Sequence, residues 1–262
     1  MKNTFKNWFA ALLLAAPMSM AVAAGGHANY EKVDIDLGDQ VSLQRGAQIF
    51  TNYCLSCHSA TGMRFNRLQD IGLTEDEIKK NLMFTTDKVG DVMQAAMTPT
   101  EGKKWFGAAP PDLTLIARSR GADYLYAYLR GFYQDPTRPT GWNNTVFDKV
   151  GMPHPLWEQQ GVRAVELDKD GRPVWEKDEH GNMAPKLYWE STGLHSRRLP
   201  NGKVIEKEYD DYVRDLVNYM VYMGEPAQMQ RKQIGYIVLI FLLAVMLPLA
   251  YFLKKEYWKD VH

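Results

Sequence analysis

Both cysteines of the chain lie in one stretch, Cys54-Leu55-Ser56-Cys57-His58. Two thiols at this spacing with a histidine directly after them could do three kinds of chemistry. A redox-active Cys-x-x-Cys pair wants a thioredoxin-like strand–helix–strand setting, which the flanking sequence lacks. A structural zinc needs a fourth nitrogen, sulfur or carboxylate ligand. Covalent haem attachment needs Cys-x-x-Cys-His itself: both thiols bond to the porphyrin vinyl groups, and the histidine comes under the iron as an axial ligand. One turn of backbone must satisfy all three bonds, and this third chemistry is the one the spacing predicts.

A second axial ligand decides whether such a site is closed for electron transfer or open to a small molecule, as in a peroxidase. The candidate sulfurs are Met63, Met83, Met93, Met97, Met152, Met183, Met220, Met223 and Met229. Most methionines fill gaps in cores. Met63 is too near His58 in sequence to reach the opposite haem face, and Met220 and Met223 fall on a helical stripe. Met152 stands in Gly151-Met152-Pro153-His154-Pro155, a stiff, non-helical segment able to present a sulfur from rigid backbone. His154 is its rival, and bis-histidine ligation would lower the potential.

The elements around these residues must position them. Ser42 is placed to cap a helix whose Leu43, Ala47 and Phe50 share one face, leading directly into Cys54. Thr74-Glu75-Asp76-Glu77 predicts a capping box and a short helix to about Leu82. Tyr124, Leu125, Tyr128, Leu129 and Phe132 recur at helical spacing over 122–133, a stripe that reports burial. Residues 135–155, rich in Pro and Gly, predict a long functional loop. Over 162–207 the runs VRAVEL, RPVWEK and KLYWE, separated by Asp170-Gly171 and Gly181-Asn182, predict a small antiparallel β excursion with a solvated charged face. A last helix over 209–223 carries Tyr212, Leu216, Tyr219, Met220 and Met223 on one side, and Gly224 and Pro226 end it.

The chain has 262 residues, 45% hydrophobic and 24% charged, enough for a sizeable globular core. Lys plus Arg equals Asp plus Glu at 31 each, so no basic excess points to nucleic acid as a partner. The two ends are less ordinary. Residues 1–24 read as a signal peptide: Lys2 and Lys6, a short apolar run from Trp8, and Ala21-Val22-Ala23 before cleavage after Ala23 or Ala24. Residues 234–253 are uncharged and long enough to span a bilayer at roughly 30 Å. The expected organisation is therefore a signal peptide (1–24), an exported periplasmic haem domain (25–233), a transmembrane anchor in membrane lipid (234–253) and a cytoplasmic tail (254–262) carrying Lys254, Lys255 and Lys259. This places the chain in a bacterial inner membrane as a single-pass protein.

Several stretches in order resemble the cytochrome c1 family, the haem-bearing subunit of the cytochrome bc1 complex (ubiquinol–cytochrome c reductase), in its bacterial form. They are Arg45-Gly46 before the Cys54–His58 stretch, Ala109-Pro110-Pro111-Asp112-Leu113, and the run from Ile116 to Tyr124. Gly151-Met152-Pro153-His154-Pro155-Leu156 and the run from Asp215 to Pro226 complete the match. The resemblance covers about residue 40 to the anchor. It implies a mainly α, c-type cytochrome fold with a small antiparallel β excursion and one C-terminal transmembrane helix. It implies one haem c held by Cys54 and Cys57, with His58 and Met152 as axial metal ligands. Arg120 and Tyr124 would lie near a haem propionate, where a guanidinium can donate two parallel bonds, and Pro110 and Pro111 would line the haem edge. It also implies electron transfer from the Rieske iron–sulfur subunit to a soluble or membrane-bound cytochrome c, beside cytochrome b in a dimeric complex. No catalytic acid or base is expected on this chain; quinol oxidation belongs to the complex.

Overall fold

A computed structural model describes residues 30–178, 181 and 183–259. The expected signal peptide and the last three residues of the tail lie outside them. Helix α1 (Gln40–Ile49) begins two residues before Ser42 because Asp39 is its N-cap, accepting a hydrogen bond from the Ser42 amide. The Ser42 side chain is needed elsewhere. It is buried, and its hydroxyl donates to Asp215 Oδ1 at 2.7 Å. Leu43, Ala47 and Phe50 are buried on one face as their spacing predicts. The helix then widens into a π-helical turn over Phe50–Cys54, which delivers the Cys-x-x-Cys-His stretch.

The long helix α7 (Lys207–Gly224) crosses α1, and the crossing is close. A Cβ on Gly46 would lie 2.1 Å from the Asp215 carbonyl oxygen and 2.6 Å from Tyr219 Cβ, so only glycine lets the two backbones approach. Arg45 Nε meets Asp215 Oδ2 at 2.5 Å, and Asn218 Nδ2 donates to Ser42 Oγ at 3.0 Å. Apolar packing around this polar knot includes Phe50, Phe65, Tyr209, Tyr219, Met63 and Met93.

Between these helices the chain forms β1 (Ala60–Arg64), a 3-10 turn (Phe65–Ile71), α2 (Glu75–Asn81), β2 (Val92–Met93) and α3 (Pro99–Phe106). Thr74 and Glu77 make the capping box of α2. A second box, Thr98 with Glu101, starts α3 with Pro99 in its first turn. Helices α4 (Ile116–Arg120) and α5 (Ala122–Arg130) follow. The α5 stripe was expected to run to Tyr133. It stops at Gly131 because Phe132 and Tyr133 pair instead as β3 (Phe132–Gln134) with β4 (Trp142–Asn144), a strand inside the expected loop.

After α6 (Trp157–Gln160), β5 (Gly161–Val165) pairs parallel with β3 and antiparallel with β8 (Leu187–Thr192). The β excursion is thus antiparallel apart from one parallel pairing, which ties it to the helical core in a sheet ordered β4-β3-β5-β8. Strands β6 (Trp175–Lys177) and β7 (Met183–Pro185) form an outlying hairpin, and β9 (Arg197–Arg198) and β10 (Val204–Ile205) another. The turns at Gly171 and Gly181 have φ +76° and +81°.

Helix α8 (Gln228–Phe241), a π-helical turn (Leu242–Met246) and α9 (Leu247–Tyr257) form one continuous helix. It runs 30 residues; its most apolar 18-residue stretch has a mean hydropathy of 2.6, and none of that stretch is buried in the protein. At 1.5 Å per residue it is about 45 Å long, enough to cross a bilayer with both ends in the interfaces. The widened turn sits just ahead of Pro248, which has no N–H to give and whose ring crowds the carbonyl one turn back.

Candidate haem site

The π-turn ends at Cys54, whose carbonyl accepts from the Cys57 amide at 3.1 Å and the His58 amide at 2.8 Å. The two thiols and the imidazole are therefore gathered on one turn. Both cysteines are free. Burial, helped slightly by Cys57, pushes the Cys54 thiol up to about 12. A redox-active pair needs the opposite, a stabilised thiolate. Among the described residues, no group of three or more His, Cys, Asp or Glu side chains is placed to hold a metal ion.

His58 is 9% exposed, and its Nδ1 lies 2.7 Å from the Pro111 carbonyl oxygen. Burial lowers its pKa, only partly opposed by that carbonyl, so the ring is neutral. A carbonyl can only accept, so Nδ1 carries the proton and Nε2 keeps the lone pair, the arrangement of a metal-ligating histidine.

The carbonyl is itself held in place. Asp112 Oδ2 accepts from the Thr61 amide (2.8 Å) and hydroxyl (2.9 Å), and Oδ1 from the Thr114 amide (2.9 Å). Burial would raise the pKa of Asp112, but the hydrogen bonds from Thr114 and Thr61 outweigh it and leave it lowered. The Leu113 amide donates to the Ser59 carbonyl at 2.8 Å, closing the loop over the turn. Pro110 is half-buried against α3, where a Cβ on Gly102 would lie 2.4 Å from Pro110 Cδ; Pro111 is exposed.

Met152 is half-buried, and Tyr128 Oη donates to its Sδ at 3.5 Å. Tyr128 stacks on Tyr124, and the Arg120 guanidinium lies over the Tyr124 ring at 5.6 Å. Arg120 is exposed, and among the described residues no carboxylate lies within ion-pair distance of it, whereas Arg118 pairs with Glu225 at 2.9 Å. Arg120, Tyr124, Tyr128 and Met152 thus form one continuous run of contacts.

His154 is 3% exposed, and both its nitrogens are engaged. Nε2 bonds Gln160 Oε1 at 2.9 Å, and Nδ1 accepts from the Leu156 amide at 3.4 Å. Its ring stacks on Phe132 at 4.7 Å and 4°, and Trp142 meets it edge-on. Burial depresses its pKa to about 3. These contacts make it a strut beneath the Met152 segment. Gln159 Nε2 donates to Tyr53 Oη at 2.7 Å and so ties that segment to the residue before Cys54. Gln159, Gln160 and Asp112 brace the site at positions that no spacing rule points to, and the helical stripe marks Tyr128 only as buried. Asp112 alone lies in one of the stretches that carry the resemblance.

A neutral histidine with a free Nε2, two thiols on its own turn, a stiffly held thioether and an apolar C-terminal helix define a membrane-anchored haem-binding protein of the electron-transfer class. The chain belongs to the Cytochrome C1 family, whose model matches residues 34–261. It is similar to the cytochrome c1 of Allochromatium vinosum, 45% identical over 97% of this chain and 98% of that protein. It is also similar to the ammonia monooxygenase gamma subunit of Nitrosomonas europaea, 48% identical over 95% of this chain and 96% of that one. The cytochrome c1 of Rhodospirillum rubrum is 28% identical over 95% and 96%. Members of the family are haem subunits of the bc1 complex and work in electron transfer.

Proposed function

We propose that this chain holds one haem c through Cys54 and Cys57, with His58 and Met152 as its axial ligands, and relays single electrons within a ubiquinol–cytochrome c reductase. When bound, the group supplies a reversible one-electron couple. The chain's residues bind and shield it. Cys54 and Cys57 would hold it through thioethers to its vinyl groups. Pro111 fixes the His58 tautomer, the 151–156 segment would carry the sulfur, and Arg120 and Tyr124 would serve the propionates.

The electron donor is the Rieske iron–sulfur subunit and the acceptor is a cytochrome c. Residues 25–233 lie in the periplasm, and the anchor packs in lipid beside cytochrome b in a dimeric complex. The observation that carries the reading is the 2.7 Å contact between His58 Nδ1 and the Pro111 carbonyl, because it prepares Nε2 for iron. The test is a denatured protein that keeps its haem absorbance and mass, purified with the subunits that accompany it from the membrane. Loss of haem on denaturation, or absence of a quinol-oxidising subunit, overturns it. The likeness to the Nitrosomonas europaea subunit supports a second reading, the same carrier serving a monooxygenase. Co-purification separates the two.

A further inference from the structure

Tyr128 sits on α5 with its ring gripped on two sides. It stacks on Tyr124 with ring centroids 6.0 Å apart at 17° and meets Phe132 edge-on at 5.3 Å and 75°. These contacts aim the hydroxyl, and its hydrogen-bond partner among the described residues is Met152 Sδ at 3.5 Å. A thioether is a weak acceptor, so a tyrosine gives its proton to sulfur only where packing leaves it no better partner.

The sulfur has two lone pairs. Tyr128 takes one by hydrogen bonding. We propose that Tyr128 is a positioning residue that tunes the electron-transfer couple through Met152. This rests on Met152 being the axial ligand, with the other lone pair given to the iron. A hydrogen bond to the sulfur withdraws electron density from that second lone pair. Ferric iron is poorer in electrons and gains more from that donation, so the oxidised state loses more. The hydroxyl therefore raises the reduction potential and loosens the sulfur in the oxidised protein. The same bond holds the thioether in one rotamer, so its orientation does not depend on the iron alone.

Tyr128→Phe keeps both ring contacts and removes only the hydroxyl. In the intact membrane complex, the reduction equilibrium should fall about two- to tenfold, tenfold being about 59 mV for one electron. Added imidazole should displace the sulfur from the oxidised protein several-fold less readily, and the long-wavelength sulfur-to-iron band should shift. Tyr126→Phe, which loses a hydroxyl on the same helix without touching Met152, should move none of these. A Tyr128→Phe protein with a wild-type midpoint, imidazole affinity and band overturns the proposal. If instead the wild type has no sulfur-to-iron band and Met152→Leu leaves the spectrum unchanged, the axial assignment itself has failed.

Discussion

His58 and His154 show how one residue type is given two tasks by its surroundings. His58 has one nitrogen bonded to a carbonyl and the other without a hydrogen-bond partner among the described residues, whereas His154 has both claimed, by Gln160 and the Leu156 amide. The contrast yields a prediction about the iron. Met152→Leu should abolish the sulfur-to-iron band and lower the potential, because a thioether favours Fe(II). His154→Ala should keep the band while destabilising the segment by about 2–4 kcal/mol, as expected for a buried ring lost from two aromatic contacts. Spectra and unfolding curves of the two variants check this, and a band lost with His154 but kept without Met152 would falsify it. The Cys-x-x-Cys-His turn was legible in the sequence because its residue types and spacing form one local motif. The surroundings of His154 were not, because they depend on which polar groups reach an imidazole, and Gln160 and Leu156 announce nothing by type.

At the scale of elements, the crossing of α1 and α7 depends on the missing side chain of Gly46. Gly46→Ala should push the helices apart, since its Cβ would fall 2.1 Å from backbone oxygen rather than from a side chain that could swing away. The expected loss is about 3 kcal/mol, read from denaturant unfolding, with no shift in midpoint potential while the protein stays folded. An unchanged midpoint of unfolding would mean the crossing is looser than it is drawn here. The periodic helices α5 and α7 and the capping box of α2 were legible because each follows a local rule. The helix α3 obeys the same rule through Thr98 and Glu101, and its signal lay in plain view. The end of α5 could not be read locally: a helical stripe continues through Phe132, but pairing with Asn144 takes those residues into a sheet, and tertiary pairing outweighs propensity. Ser42 misled for a related reason, since a good cap residue was required inside, against Asp215.

For the whole molecule, the C-terminal helix should be separable from the rest of the fold. The 30-residue span buries nothing in the protein, and the only ion pairs near the joint run from Glu225 to Arg118 and Arg231 among the described residues. Ending the chain after Gln233 keeps both. The product should be soluble and red, with a wild-type spectrum and electron exchange with soluble cytochrome c, while membranes carrying it lose quinol-driven reduction. A truncated protein that cannot retain haem would show that the anchor supports the fold. The contact between Ser42 and Asp215 joins residues 173 positions apart, and this sets a clock on the growing chain. Helix α1 lacks its largest packing partner until α7 exists, with only the early 3-10 turn to lean on through Gln44 and the Ile71 carbonyl, and so long a loop cannot close before α7 is made. Throughout synthesis, then, the turn with Cys54 and Cys57 should stay open; only the arrival of the last helix before the anchor should shut the door. Chains arrested before residue 207 should leave both thiols open to an alkylating reagent, and chains released after residue 224 should protect Cys54.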